Sequence, residues 1–346
     1  MNTLQEALPI PERDSAVVMG RENYLSVLYR LIAAELYTLR RRRLSKVLLA
    51  VGVGLIIVFV LTTALSTWYT ANRPASDFVP PFCSAQSHEA GCVTHVPTQA
   101  DMEQYKQIQV HNIADNLSLP RSIGTIGGTL VASLLFMLIL ILAGSMVGGE
   151  YSLGTVRLLF TRGPTRLQFL VAKIVTVIIC IVPVVLVLTL LGIFLGEVLY
   201  SILGFSTNWG FLTANWLGHT GLFLLAGMLG WFVWAMVAIF FGTLGRSTVA
   251  AIVAPFIWYI TEQILNNLIS GFVGSSSGPI SDLVKAIPDY FVGNNIYALL
   301  QNQAHVVFGA SASSLSDLHA LSVLGVYIAL FITLSRWLTV KRDVTN

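Results

Sequence analysis

Six runs of about 20 apolar residues, near 47–69, 125–147, 170–196, 217–244, 248–269 and 319–339, constrain this chain more than anything else in it. Each is long enough to cross roughly 30 Å of hydrocarbon as a helix. Only a helix or a closed barrel satisfies every backbone group in that medium, and runs of this length are helical. Composition agrees. Hydrophobic residues make up 55% of the chain and charged residues 11%, less than half the charged share of a soluble domain. The sequence therefore predicts an all-α integral membrane protein with six transmembrane helices.

The placement of cations predicts orientation. Of 20 lysines and arginines, one side of the arrangement receives Arg13, Arg21, Arg30, Arg40 to Arg43, Lys46, Arg157, Arg162, Arg166, Lys173, Arg246, Arg336, Lys341 and Arg342. The other side receives Arg73, Lys106, Arg121 and Lys285. By the positive-inside rule both termini are expected in the cytoplasm of a multi-pass plasma-membrane protein. The net charge of +3 follows from that topology and gives no reason to expect nucleic acid. No cleavable signal is expected, because the first apolar run begins only at Val47.

Residues 1–46 read as a cytoplasmic tail followed by an amphipathic helix, and 47–342 as the membrane domain. Tyr24, Val27, Leu28, Leu31, Ile32, Leu36 and Leu39 recur at helical spacing. Such a helix, feeding the run Arg40 to Arg43, fits the inner membrane surface, where the arginines meet lipid head groups or simply fix topology. Residues 70–124 form an external loop inserted between spans one and two. Cys83 and Cys92 fall there and predict a disulfide closing a short loop on the oxidising face. Metal binding with His88 and His95 is the other use of those side chains, but their spacing matches no established zinc pattern, so no metal is expected. The external stretch 270–317 holds apolar segments too short to span the bilayer, and predicts a re-entrant or interfacial helix pair.

Much of the function question is decided by what is missing. The chain has no Gly-x-x-x-x-Gly-Lys-Ser/Thr and no Gly-Lys dipeptide, so no phosphate loop of its own, and no hydrolase or zinc-protease signature. Ionisable groups in the spans are few: Glu262, with Glu197 and His219 near outer ends. Glu262 reads either as a carboxyl satisfied by Gln263, Asn266 or a neighbouring helix, or as part of a transport path with Trp258; Trp231, Trp234 and Tyr259 are further aromatic candidates.

The remaining signal lies between spans two and three, in Glu150-Tyr-Ser-Leu-Gly154-Thr155-Val-Arg157-Leu-Leu-Phe-Thr-Arg162-Gly-Pro164-Thr-Arg166. Gly148-Gly149 is expected to end span two. Leu153, Val156, Leu159 and Phe160 give a short helix one apolar stripe, and Gly163-Pro164 ends it before Arg166 and Lys173. Glu150 is expected in the first turn of that helix, where a carboxylate complements the positive end.

Gly149-Glu150-x-x-x-Gly154-Thr155, the following Leu-Leu pair, the Pro-Thr-Arg triplet and the Ala-Lys leading into span three resemble the inner loop of permease subunits of type-2 ABC exporters. The resemblance implies an N-terminal amphipathic elbow helix over Tyr24 to Leu39, a cytoplasmic coupling helix carrying Glu150, Gly154, Thr155, Arg157 and Arg162, and a re-entrant outer segment before the last span. It also implies a separate ABC ATPase subunit that binds ATP and Mg, a second permease copy in a homodimer or heterodimer, and export of a hydrophobic or amphipathic compound such as a drug, an antibiotic peptide or a lipid. This chain itself is then a transport subunit without catalysis or a cofactor of its own. A secondary transporter and a membrane-embedded enzyme are the alternatives. The first calls for a coupling-ion site and usually an internal repeat, the second for clustered reactive side chains.

Overall fold

The structure is a computed structural model and describes residues 24–83, 91–132, 135–155, 164–273 and 278–341. Among the described residues ten α-helices follow one another: α1 (Tyr24–Arg41), α2 (Arg43–Asn72), α3 (Gln99–Ala114), α4 (Phe136–Ser152), α5 (Arg166–Ile202), α6 (Ala214–Gly245), α7 (Thr248–Val273), α8 (Pro279–Lys285), α9 (Val292–Phe308) and α10 (Asp317–Lys341). A π-helical stretch, Ile123–Ala132, precedes α4 and belongs to the same span. Among the described residues six spans are long and apolar enough to cross a membrane: α2, the π stretch with α4, α5, α6, α7 and α10. The chain is a multi-pass membrane protein. At 1.5 Å per residue, the 37 residues of α5 reach about 55 Å, so that helix extends well beyond the hydrocarbon.

The bundle is organised around α6, apolar on every face and largely buried. It packs against α4, α5, α7, α9, α10 and the π stretch. Trp231 in α6 donates its indole N–H to the Val131 carbonyl at 3.0 Å, satisfying a backbone acceptor that the wide π turn leaves available. The outer spans α2, α7 and α10 turn most of their apolar surface outward, as helices facing lipid do.

Spans alternate in direction, which gives the bundle two ends. One holds α1, the end of α4, the start of α5, the α6–α7 turn and the end of α10. In that turn Arg246 adopts a left-handed conformation (φ 47°) and the Ser247 hydroxyl accepts from the Ala250 N–H at 3.0 Å, capping α7. At the other end sit the Cys83–Cys92 disulfide, with Cα atoms 5.0 Å apart, and α3, which packs on α2. Helix α3 begins in a capping box: Thr98 Oγ1 accepts from Asp101 N while the Asp101 carboxylate accepts from Thr98 N at 2.8 Å. His95 lies 3.0 Å from the same carboxylate. Among the described residues no three His, Cys, Asp or Glu side chains gather as a metal site; His88 lies outside them.

Between spans five and six the chain enters and leaves at the disulfide end. Helix α9 runs outward along α6: Ile296 seats on Gly230, halfway along α6, and Val307 accepts from the Trp216 indole near the start of α6 at 3.0 Å.

Candidate functional site

At the α1 end a lysine is buried completely. Lys173, two turns into α5, has no exposed surface, and its ammonium meets two carboxylates: Glu35 of α1 at 2.5 Å and Glu150 of α4. An isolated ammonium does not survive in such a place without compensation. The two glutamates supply it, keeping 17% and 19% of their side chains exposed. One cation thus ties the amphipathic helix to the end of span two and the beginning of span three. The sequence held this information only as charges bordering three separate apolar stretches.

The loop motif surrounds this cluster, and its geometry differs from the expected one. Span two does not stop at Gly148-Gly149; α4 continues to Ser152. Gly148 serves contact, since a Cβ there would lie 2.6 Å from the Ser247 carbonyl oxygen and the Thr248 Cα. Glu150 accordingly sits in the last turn of α4, not the first turn of a following helix. That position is electrostatically unfavourable for a carboxylate, and the Lys173 ammonium offsets it. Gly154 is the stop: at φ +68° it takes the left-handed conformation that ends helices and that side chains resist. Thr155 Oγ1 donates to the Glu150 carbonyl at 3.2 Å. Arg157, Arg162 and the remainder of the expected short helix lie outside the described residues.

Beyond them, Thr165 and Gln168 form a capping box for α5. Gln168 also donates to the Tyr24 carbonyl of α1 at 3.4 Å. Arg166 donates to the Thr339 and Val340 carbonyls at 3.3 and 3.0 Å, placing a cation on the negative end of α10. Arg166 and Gln168 together therefore tie the last and first helices to the start of span three.

A cavity of about 830 Å³ opens between the π stretch, α6, α7 and α9. Phe136, Trp234 and Tyr259 form its floor, with ring centroids 5.1 to 5.6 Å apart. Tyr259, Gln263 and Asn266, on one face of α7, form one wall, and Gly124, Gly128 and Ala132 of the π stretch another.

Trp258 and Glu262 lie on the neighbouring face of α7, outside that lining. Trp258 donates its indole N–H to Glu262 Oε1 at 2.8 Å. The buried Glu262 carboxylate also accepts from the Val292 and Gly293 N–H groups at 3.1 and 2.9 Å. Those two amides open α9, whose N-terminus has no side-chain cap of its own; Glu262 supplies the anion that a helix start favours. Glu197 is engaged similarly, accepting from Leu119 N and Thr207 Oγ1 at 2.6 Å each.

Residues 114–345 match the family described as "Protein of unknown function (DUF2705)". The chain belongs to this family. The DUF2705 match takes in Glu150, Lys173, the cavity and five of the six spans, while α1 with Glu35, span one and the disulfide precede it. No curated protein matches the chain.

Proposed function

We propose that the chain is the membrane-spanning permease subunit of an ATP-driven exporter, working with a separate ATPase and a second permease copy. The cluster of Lys173, Glu150 and Glu35 is the observation that carries this reading. An ATPase that drives transport must push on the membrane part from outside it. The stretch 153–165 joins α4 to α5 at the end where the amphipathic helix lies; its α4 flank is tied to Lys173 through Glu150, and its α5 flank to α10 through Arg166. A force on that segment or on α1 is delivered to spans two, three and six together. In this reading α1 is the elbow helix, 153–165 the coupling region, α8 and α9 the re-entrant outer segment, and the α1 end is cytoplasmic, in keeping with its excess of cations. The absence of a phosphate loop from the sequence assigns hydrolysis to the partner.

The test is purification of the chain from its native membrane with its partners. A stoichiometric ATPase is expected in the preparation, with ATP hydrolysis that the chain alone lacks. Glu150→Gln is expected to keep the assembly and lower transport per ATP hydrolysed. A chain that purifies without any ATPase, or a Glu150→Gln variant with unchanged coupling, removes the proposal's support.

A further inference from the structure

We propose that the cavity between the π stretch, α6, α7 and α9 binds an amphiphile with an apolar or aromatic body and an amide- or hydroxyl-bearing head, neutral or singly negative but not cationic. As a statement about cargo this rests on the exporter reading; as a statement about binding it does not.

The volume, about 830 Å³, lies within the range of small-molecule sites. The floor of Phe136, Trp234 and Tyr259 offers ring faces and edges to an apolar body. Above it the lining changes character to carboxamides: Asn116, Gln263, Asn266, Asn294 and Gln301. Carboxamides both donate and accept, so they complement amides and hydroxyls. Asn294 already donates to Asn266 Oδ1 at 3.3 Å and Gln301 to Ser311 Oγ at 3.2 Å. The Tyr259 hydroxyl and the Gln263 carboxamide, one helical turn apart, have no partner among the described residues. Both side chains are partly exposed, so their polar atoms are available to a head group that enters the cavity.

Charge narrows the class further. Among the described residues no carboxylate lines the cavity, and the one charged lining residue is Arg121, which is half exposed and lies 3.2 Å from Asp115. A cation entering here loses water without gaining a counter-charge. An anion meets a guanidinium that is already partly compensated, so one negative group is tolerated and none is required.

The experiment uses the full chain alone in phosphatidylcholine nanodiscs and three radiolabelled probes with one body: N-octanoyl-phenylalaninamide (neutral), N-octanoyl-phenylalanine (anionic) and phenylalanine octylamide (cationic at neutral pH). Equilibrium dialysis measures binding, and the Gln263→Leu/Asn266→Leu double variant gives the level of simple partitioning. The neutral probe is expected to bind saturably at one per chain, at least tenfold more tightly than the cationic one. The double variant is expected to lose at least tenfold, and Arg121→Gln to weaken the anionic probe alone. Should the double variant fail to fold, Gln263→Leu carries the same prediction. Equal binding of all three probes, or wild-type binding by the Gln263 variant, overturns the proposal. Selective binding by a chain that purifies without an ATPase keeps this site and removes the exporter reading. An ATP-coupled preparation lacking the selectivity does the reverse.

Discussion

Replacing Lys173 with methionine tests the ion cluster directly. The side chain is 1% exposed, and its removal leaves Glu35 and Glu150 facing each other with less than a fifth of their surfaces in solvent. Breaking a buried pair by deleting one partner costs about 3–5 kcal/mol. The residual exposure of both carboxylates places this case at the lower end, about 3 kcal/mol. For a chain of 346 residues that is a fall in Tm of about 4 °C. Charge counting gives an ordering that does not depend on the absolute figure. Glu150→Gln leaves one lysine with one carboxylate and costs about 1 kcal/mol, whereas Lys173→Met leaves two carboxylates and no cation. Removing all three charges, in Lys173→Met/Glu35→Gln/Glu150→Gln, leaves nothing uncompensated and is expected to recover most of the loss. Scanning fluorimetry of the purified proteins at one fixed scan rate reads the order, since unfolding of such a protein is commonly irreversible. A Lys173→Met variant within 2 °C of wild type, or a triple variant no better than the single one, would falsify the account.

Three further outcomes are expected. Gly148→Ala forces α4 away from the α6–α7 turn, because its Cβ meets backbone at 2.6 Å, while Gly149→Ala meets nothing within 4 Å; the first is expected to cost at least about 2 kcal/mol and the second to be neutral, as judged by yield and Tm. Replacing Cys83 and Cys92 with serine removes a closed loop worth about 2–3 kcal/mol in the chain-entropy model, and is expected to increase proteolysis of the external region without preventing insertion; intact mass with and without reduction checks the bond in the parent. Hydrogen bonds from Thr98, followed in effect by His95, hold the Asp101 carboxyl below its ordinary value of 3.8. A depressed carboxyl stabilises the first turn of α3 above its unfolded pKa and loses that contribution as pH falls through the lower folded one. Amide protection around residues 98–102 is therefore expected to drop only below about pH 4, and Asp101→Asn to remove the dependence.

The spans were legible because lipid imposes one rule on every segment: enough apolar residues, in helical form, to cross. Their ends were less so. Gly148-Gly149 reads as a helix stop in isolation, but close approach to Ser247 and Thr248 decides the matter, and α4 passes through. The site was legible as residues and not as contacts. Lys173 and Glu150 stood at the borders of neighbouring apolar runs, yet nothing in one dimension joined them to Glu35, more than a hundred residues from the lysine. On α7 one-residue steps decide roles: Trp258 packs on Phe241 of α6 and on Tyr327 and Phe331 of α10 while Glu262 reaches the start of α9, and Tyr259 and Gln263 turn toward the cavity. A stripe at helical spacing reveals that two faces exist, but not which neighbour each one meets.

The contact between α4 and α7 joins the two regions. Near the ion cluster the backbones nearly touch, with a Cβ on Gly144 placed 3.0 Å from the Ala251 carbonyl and one on Gly148 closer still to Ser247. Small residues four apart permit that approach between spans. Farther along, Phe136 and Tyr259 hold the helices apart at 5.1 Å between ring centroids, and beyond them the cavity opens. The pair forms a wedge, closed where Glu150 sits and open where Gln263 does. Close-packed interiors transmit small displacements more readily than they absorb them, so spreading the closed end alters the open one. Gly144→Ala adds one methyl at the closed end, far from the carboxamides, and is expected to change the affinity of the neutral probe at least threefold while Gly149→Ala leaves it unchanged. The same dialysis measurement reads both variants. Equal affinities in the two would mean that the helices behave independently, and the cluster at one end would then have no mechanical route to the cavity at the other.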